Sequence, residues 1–304
     1  MMIDGYCIES GALRAAPETH AEVWLCTAPD ALEQKALQER LGVGAQAIAS
    51  SLDPDEVARI EIKPDHLFLI WKRPESFDGR AFNVSSFGVV LSERRLGVIC
   101  ASNSLLSSLN EAPDLAGPLD VLMALLAESV HHYLGHLRVV KHVAREIQQQ
   151  FTQTMDNRQL AQMYNLSESL VYYVNAIHGN GTVLTLLRSH GQRHGFSDHQ
   201  LQVLNDLIIE NEQSYQQARI HAKVFANLIE SRGNLANNGM NLALRKLTLI
   251  NVVFLPLNLI AGIGGMSEFS MMTAGVPWWI SFPSLIVGMA LLGAGMVVAL
   301  RRMA

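Results

Sequence analysis

The run at residues 247–265, LTLINVVFLPLNLIAGIGG, decides how the rest of this chain is read. It is apolar and uncharged, and as a helix it is long enough to cross a bilayer core about 30 Å thick, which takes ~20 residues. A second run of the same kind, VPWWISFPSLIVGMALLGAGMVVAL, occupies 276–300. Arg245 and Lys246 precede the first run, and Arg301 and Arg302 follow the second. The connection at 266–275 holds no Lys or Arg and one acid, Glu268. Positive charge collects on the cytoplasmic side, so both termini are expected inside and the connection outside. One apolar run could be the core helix of a soluble protein. Two, charge-free and bounded by basic pairs on the same side, point to a membrane hairpin.

The first run carries a finer pattern. Asn227, Asn234, Asn237, Asn241, Leu244, Thr248, Asn251, Leu255, Asn258, Gly262 and Gly265 follow one another, after the opening step, at spacings that alternate three and four. That is a single narrow seam on a helix, the a/d seam of a coiled coil. It stays polar inside the apolar run, at Thr248, Asn251 and Asn258. Polar groups at membrane depth face other helices or a water-filled cavity. One helix cannot enclose a cavity, but copies of it about an axis can. The competing reading is a ladder of amides that binds helices together without a pore. The glycines at the far end favour the pore, because they let backbone carbonyls line a mouth.

These residues also resemble a family. Met240-Asn241, Arg245-Lys246-Leu247-Thr248, Phe254-Leu255-Pro256-Leu257, Ile260-Ala261-Gly262-Ile263 and Gly265-Met266 look like the first membrane helix of the CorA superfamily of divalent-cation (Mg²⁺, Zn²⁺, Co²⁺) transporters. The match is unbroken over about 241–266 and extends more weakly over most of the chain. The family signature at the outer end is Gly-Met-Asn, whose Asn presents a ring of amides to the incoming hydrated ion. Here the triplet is Gly265-Met266-Ser267; Ser267 keeps an oxygen but is shorter and lacks the NH₂. A Gly-Met-Asn triplet at Gly239-Met240-Asn241 lies before the basic pair, at the wrong register, and reads as a chance match. The resemblance implies a CorA-like funnel: an α/β cytoplasmic domain, a long helical hairpin and stalk, and two C-terminal transmembrane helices. It further implies a homopentamer in a bacterial-type inner membrane.

At 304 residues the chain allows one soluble domain plus a membrane part. A net charge of −5 with no basic tract excludes nucleic acid as an expected partner. Cys7, Cys26 and Cys100 lack metal-site spacing and read as reduced thiols. The first ten residues carry Asp4 and Glu9 and no apolar stretch, so no signal peptide is expected. The expected organisation is an α/β domain at 1–117 and a long-helix region and stalk at 118–246. Transmembrane helices at 247–265 and 276–300 follow, with an outer loop at 266–275 between them and a basic tail at 301–304.

Strands are expected at 22–27, 67–72, 82–91 and 96–101, with a turn at Glu93-Arg94-Arg95 between the last two. A helix is expected to open on Asp30 and stop before Gly42. Further helices are expected over 120–151 and 156–188, then a Gly-rich turn at 190–197. From Asp198 a helix of about 65 residues, ~100 Å at 1.5 Å per residue, is expected to continue into the membrane.

No phosphate loop, nucleophile elbow or triad is present, so an enzyme is not expected. His132 and His136 stand at i, i+4, a spacing that can pinch a metal, though a hydrogen-bonded pair on a helix face is the commoner reason for it. His190, His194 and His199 form a candidate low-affinity metal cluster. Glu230 falls on the seam, and Glu268 copies could ring the outer mouth and attract cations.

The pathway expected is therefore lined by Asn241, Leu244, Thr248, Asn251, Leu255, Asn258 and Gly262. Gly265, Met266, Ser267 and Glu268 form its outer mouth. It carries Mg²⁺ or Zn²⁺ passively, with no cofactor beyond the transported ion and a possible regulatory divalent cation. The alternatives are a Zn²⁺-selective transporter, proton-coupled or exporting, and a non-conducting metal sensor or scaffold.

Overall fold

The computed structural model describes residues 3–75, 81–92, 95–102, 105, 115–149 and 157–303. Contacts divide the chain into two compact units, Met1–Ile229 and Glu230–Ala304.

The first unit is built on a seven-stranded sheet in the order β2-β1-β3-β7-β6-β5-β4. The strands are β1 (Ile3–Glu9), β2 (Ala12–Ala15), β3 (Val23–Thr27), β4 (Arg59–Ile62), β5 (Leu67–Pro74), β6 (Val84–Leu91) and β7 (Leu96–Cys100). Only β3 and β7 pair in parallel, with Leu25 opposite Val98. Strands β3, β5, β6 and β7 are covered on both faces, which is why they read as near-continuous apolar runs. On one face, Leu25, Leu69, Trp71, Val89 and Val98 pack under α3 (Pro118–Gln149) and α4 (Asn157–Gly191). On the other, Cys26, Phe68, Ile70 and Ile99 pack under α1 (Ala31–Leu41) and α2 (Ala45–Leu52).

The expected strands are present, but β1, β2 and β4 were not expected. Their sequences, IDGYCIE, ALRA and RIEI, are short or interrupted by charge, because they sit at or toward the sheet edges. Of the expected turn, Glu93 and Arg94 lie outside the described residues; Ser92 N–H donates to Arg95 O at 2.9 Å across it. Helix α1 begins as expected. The Asp30 carboxylate accepts from the N–H groups of Leu32 and Glu33, and Glu33 returns a bond to Asp30 N–H, a capping box. Gly42 closes the helix at φ 65°, a left-handed position that favours glycine.

Above the sheet, α3, α4 and α5 (Asp198–Gly264) pack as a three-helix bundle. Buried positions recur at alternating threes and fours. In α3 they are Leu126, Val130, Tyr133, Leu137, Val140 and Ala144, and in α4 Met163, Leu166, Leu170, Tyr173 and Ile177. Tyr133 takes the core position, and the adjacent Leu134 is only half-buried. Residues 150–156, the expected join of α3 and α4, lie outside the described residues. Helix α4 runs past its expected end at 188 to Gly191, then tightens into a 3₁₀ turn at Gln192–His194 that Gly195 ends at φ 77°. The helix extends because Gly191 lets it close against Phe196 and Leu201.

Two polar residues dock the bundle on the sheet. Asn180, fully buried, accepts from Lys72 N–H at 3.0 Å and donates to Lys72 O at 2.7 Å, so a helix amide occupies both backbone groups of a strand residue. Ser129 accepts from Trp71 Nε1 at 2.8 Å.

In the second unit, α5 continues without a break to Gly264, with Pro256 inside it. The connection is not simply a loop: α6 (Ser267–Met272) forms within it. Helix α7 (Trp278–Met303) starts just after Pro277 and passes through Arg301 and Arg302, beyond the expected end. Helices α5, through its apolar end, and α7, over Trp278–Leu300, are the two described helices long and apolar enough to cross a membrane.

Replacing Asn180 by Leu removes the Lys72 N–H partner and leaves Lys72 O with only the long bond from Ser129 Oγ at 3.4 Å. At about 1–3 kcal/mol for a buried group left unpaired, the expected loss of stability is at least about 1–3 kcal/mol, read as a fall in the thermal or denaturant midpoint of the purified protein.

Candidate functional site

Helix α5 has two faces in the membrane unit. Leu249, Val253, Pro256, Leu257, Ile260 and Gly264 are half-buried. They form the face turned to α7: a Cβ on Gly264 would lie 2.8 Å from Leu285 Cδ2, and one on Gly293 would lie 3.4 Å from Leu257 Cδ1. Small residues at both points let the helix backbones approach. At 100° per residue the seam Leu244, Thr248, Asn251, Leu255, Asn258, Gly262 centres about 180° from this face. Every one of those residues is exposed in the single chain, Leu255 to 70%.

The seam's polar groups stay available. Thr248 Oγ1 donates to Leu244 O at 2.9 Å, so its lone pairs remain free to accept. Among the described residues, Asn241, Asn251 and Asn258 make no side-chain hydrogen bond within the chain. At the far end, Gly265 N–H reaches back to Ala261 O and Gly262 O, and Met266 N–H to Ile263 O. These tight bonds end the helix, and Ser267 opens α6. Gly265, Met266 and Ser267 are exposed; the Glu268 side chain lies outside the description. Upstream, Asn227, Glu230, Asn234 and Asn237 are exposed as well.

The chain can now be set beside known proteins. A model of the CorA-like Mg²⁺ transporter protein family matches residues 23–302. The chain belongs to this family. It is 20% identical, over 93% of its length and 92% of the relative's, to the cobalt/magnesium transport protein CorA of Methanocaldococcus jannaschii. The complete structure of the CorA magnesium transporter from that organism superposes with a TM-score of 0.79 at 19% identity, covering 100% of this chain and 98% of the other. The full-length CmaX protein gives 0.76 at 16% identity, covering 98% and 97%. As a CorA-family protein the chain is an integral membrane protein with two C-terminal membrane helices. It is a divalent-cation transporter and not an enzyme.

The histidines fall into separate settings in this CorA-family chain. His190 ends α4, His194 lies in the 3₁₀ turn and His199 begins α5. Among the described residues no three His, Cys, Asp or Glu side chains are gathered so as to hold a metal, so this trio is not drawn together. His132 and His136 do meet, their ring centroids 4.4 Å apart. His136 Nδ1 lies 2.6 Å from the Tyr173 hydroxyl, and Phe82 packs against its ring. Burial pushes the His136 pKa down to about 4 and lowers that of His132.

The sequence reading missed a cleft of about 1,080 Å³ between residues 54–58, the adjoining ends of β5 and β6, and α4, lined in part by Asp55, Glu75, Glu168 and His178. Its residues are scattered along the chain with no shared spacing, so no local signal could have found it. Lys72 is among its lining residues, buried and with its pKa lowered by that burial, donating to Pro54 O and to Ser86 Oγ.

A histidine with a lowered folded-state pKa is held neutral, and the unfolded chain binds the extra proton. Its contribution is therefore complete above about 6.5 and is lost as pH falls toward about 4. Melting curves across that window should show a steeper loss in the wild type than in His136→Gln, which keeps a hydrogen-bonding group near Tyr173.

Proposed function

We propose that this protein lets a divalent cation permeate passively through a homopentameric pore whose wall is the α5 seam. One observation carries the reading: the polar seam lies opposite the face that α7 covers, and among the described residues nothing in the same chain covers it. A buried amide without a partner costs on the order of 2–7 kcal/mol, so Asn251 and Asn258 do not face hydrocarbon. Copies of α5 about an axis give them water and one another.

Rings of Asn258, Asn251, Thr248 and Asn241 then offer neutral oxygens. Mg²⁺ sheds its water reluctantly, so such rings read its hydration shell. Leu244 and Leu255 on the same seam form apolar constrictions that gate by dewetting. Gly262 and Gly265 widen the mouth, and Met266, Ser267 and Glu268 rim it. No charged residue lies inside either membrane run, which argues against a built-in proton relay.

The seam carries no imidazole or thiolate, the ligands that borderline-soft Zn²⁺ prefers, so Mg²⁺ is the favoured cargo, in keeping with the names of the relatives. Ser267 in place of the signature Asn is the feature that favours a second reading, altered ion choice toward Zn²⁺. The basic pairs Arg245-Lys246 and Arg301-Arg302 support cytoplasmic termini in an inner membrane of bacterial type.

The test is metal flux into liposomes holding a fluorescent reporter. Asn251→Leu and Asn258→Leu are each expected to cut Mg²⁺ entry at least tenfold with assembly intact. Unchanged flux, or none in the wild type, would leave a non-conducting sensor or scaffold as the better account. Ser267→Asn is expected to shift the Mg²⁺ to Zn²⁺ entry ratio severalfold, measured by competition between the two ions.

A further inference from the structure

The seam on α5 does not stop at Asn227. Followed back at the same alternation of three and four, it takes in Lys223, Ile220, Gln216, Gln213 and Ile209, and every one of these is exposed. Leu207, Ala218 and Phe225, which are buried in the helix bundle, centre about 170° away round the helix. So α5 below the membrane stretch also has one face given to its own chain and an opposite face left bare.

The bare face is partly apolar. Of residues 198–229 in α5, the large apolar side chains left exposed are Ile209, at 67%, and Ile220, at 60%, and both stand on the seam. Two isoleucines placed without regard to the seam would have no reason to share its line. Their place on it extends to the soluble stretch the same arrangement that Asn251 and Asn258 require, copies of α5 about an axis.

Lys223 is the one cation on the seam between Ile209 and Gly265. The residues three and four away from it are Arg219, Ile220, Ala226 and Asn227. No acid therefore stands beside it on its own helix, and Arg219 carries the same sign. Among the described residues Lys223 makes no hydrogen bond or ion pair within the chain. The next seam charge, Glu230, comes seven residues on, ~10 Å along the helix at 1.5 Å per residue. An unneutralised cation on a face shared by several copies repels its counterparts and works against assembly. That sets it apart from a charge placed to hold the copies together.

We propose that Lys223 is a charge barrier on the ion's path: its copies ring the axis on the cytoplasmic side of Glu230 and slow divalent cations there. The inference rests on the pore of α5 copies proposed above. A cation on the axis meets the summed field of the ring, and a divalent ion meets twice the repulsion of a monovalent one. Protein walls of low dielectric focus that field along the path. Lys223 acts through its charge, so its effect follows the charge and the salt, not the shape of the side chain.

The full-length protein would be placed in liposomes holding a fluorescent Mg²⁺ reporter. At ~0.1 M salt, where a charge is felt over about 10 Å, Lys223→Gln is expected to raise Mg²⁺ entry severalfold. At ~1 M, where that reach falls to about 3 Å, the gap between variant and wild type is expected to close. Lys223→Arg, which keeps the charge, should retain the slow rate. Arg145→Gln, which removes an exposed cation from α3, should retain it too. Entry unchanged or lowered in Lys223→Gln, a gap that persists at high salt, or an equal rise in Arg145→Gln would overturn the proposal. So would loss of the wild-type assembly in Lys223→Gln, which would make Lys223 an ion-pair partner between copies. The two readings fail separately. Wild-type entry that Asn258→Leu abolishes and Lys223→Gln leaves alone removes the barrier and keeps the pore, whereas no wild-type entry removes both.

Discussion

A polar side chain on a membrane helix has to find a partner other than hydrocarbon, and α5 is organised by that constraint. In the membrane unit its apolar face is taken by α7, with Gly264 and Gly293 setting the contact distance. The amides of Asn251 and Asn258 are left on the opposite side with no partner in their own chain among the described residues. A helix that used both faces within one subunit would have been stable alone. This one is complete only when something polar covers its seam. The same division appears lower on α5, where Phe225 is buried and Asn227, about 200° further round the helix, is exposed.

The soluble unit obeys a related rule, that buried polar groups must be paired. Four strands are covered on both faces, so their backbone groups pair within the sheet, and the bundle docks through groups that find partners. Asn180 holds both backbone atoms of Lys72, and Ser129 holds the Trp71 indole. The Lys72 ammonium, drawn from water by the same packing, is held by Pro54 O and Ser86 Oγ. These bonds join residues far apart in sequence, which makes them sensitive points for stability. They are also invisible to any local pattern.

One departure from the family's signature stands at the far end of the α5 seam. Ser267 stands where the family's signature has Asn, at the first residue of α6 and just past the tightened end of α5. A shorter hydroxyl reaches less far toward an axis than an amide and offers one oxygen without the NH₂. The α5 seam and Ser267 therefore belong to different helices.

Much was legible in the sequence alone because it depended on near neighbours. Two apolar runs with basic flanks announced the membrane hairpin, Asp30 and Gly42 marked the ends of α1, and steps of three and four drew the seam. Helix periodicity is a property of the covalent chain, so each of these survives without a fold. What only the tertiary structure decided was what each face meets. Strands β1, β2 and β4 gain their conformation from sheet neighbours, and their own apolar content is too slight to declare it. Tyr133 is buried and its neighbour Leu134 only half-buried, a choice between adjacent apolar side chains that contact with α4 makes. His190, His194 and His199 share a promising spacing yet sit on three elements that do not bring them together. The side of α5 given to α7 likewise came from packing, since the apolar residues flanking the seam are alike in kind and only contact distinguishes them.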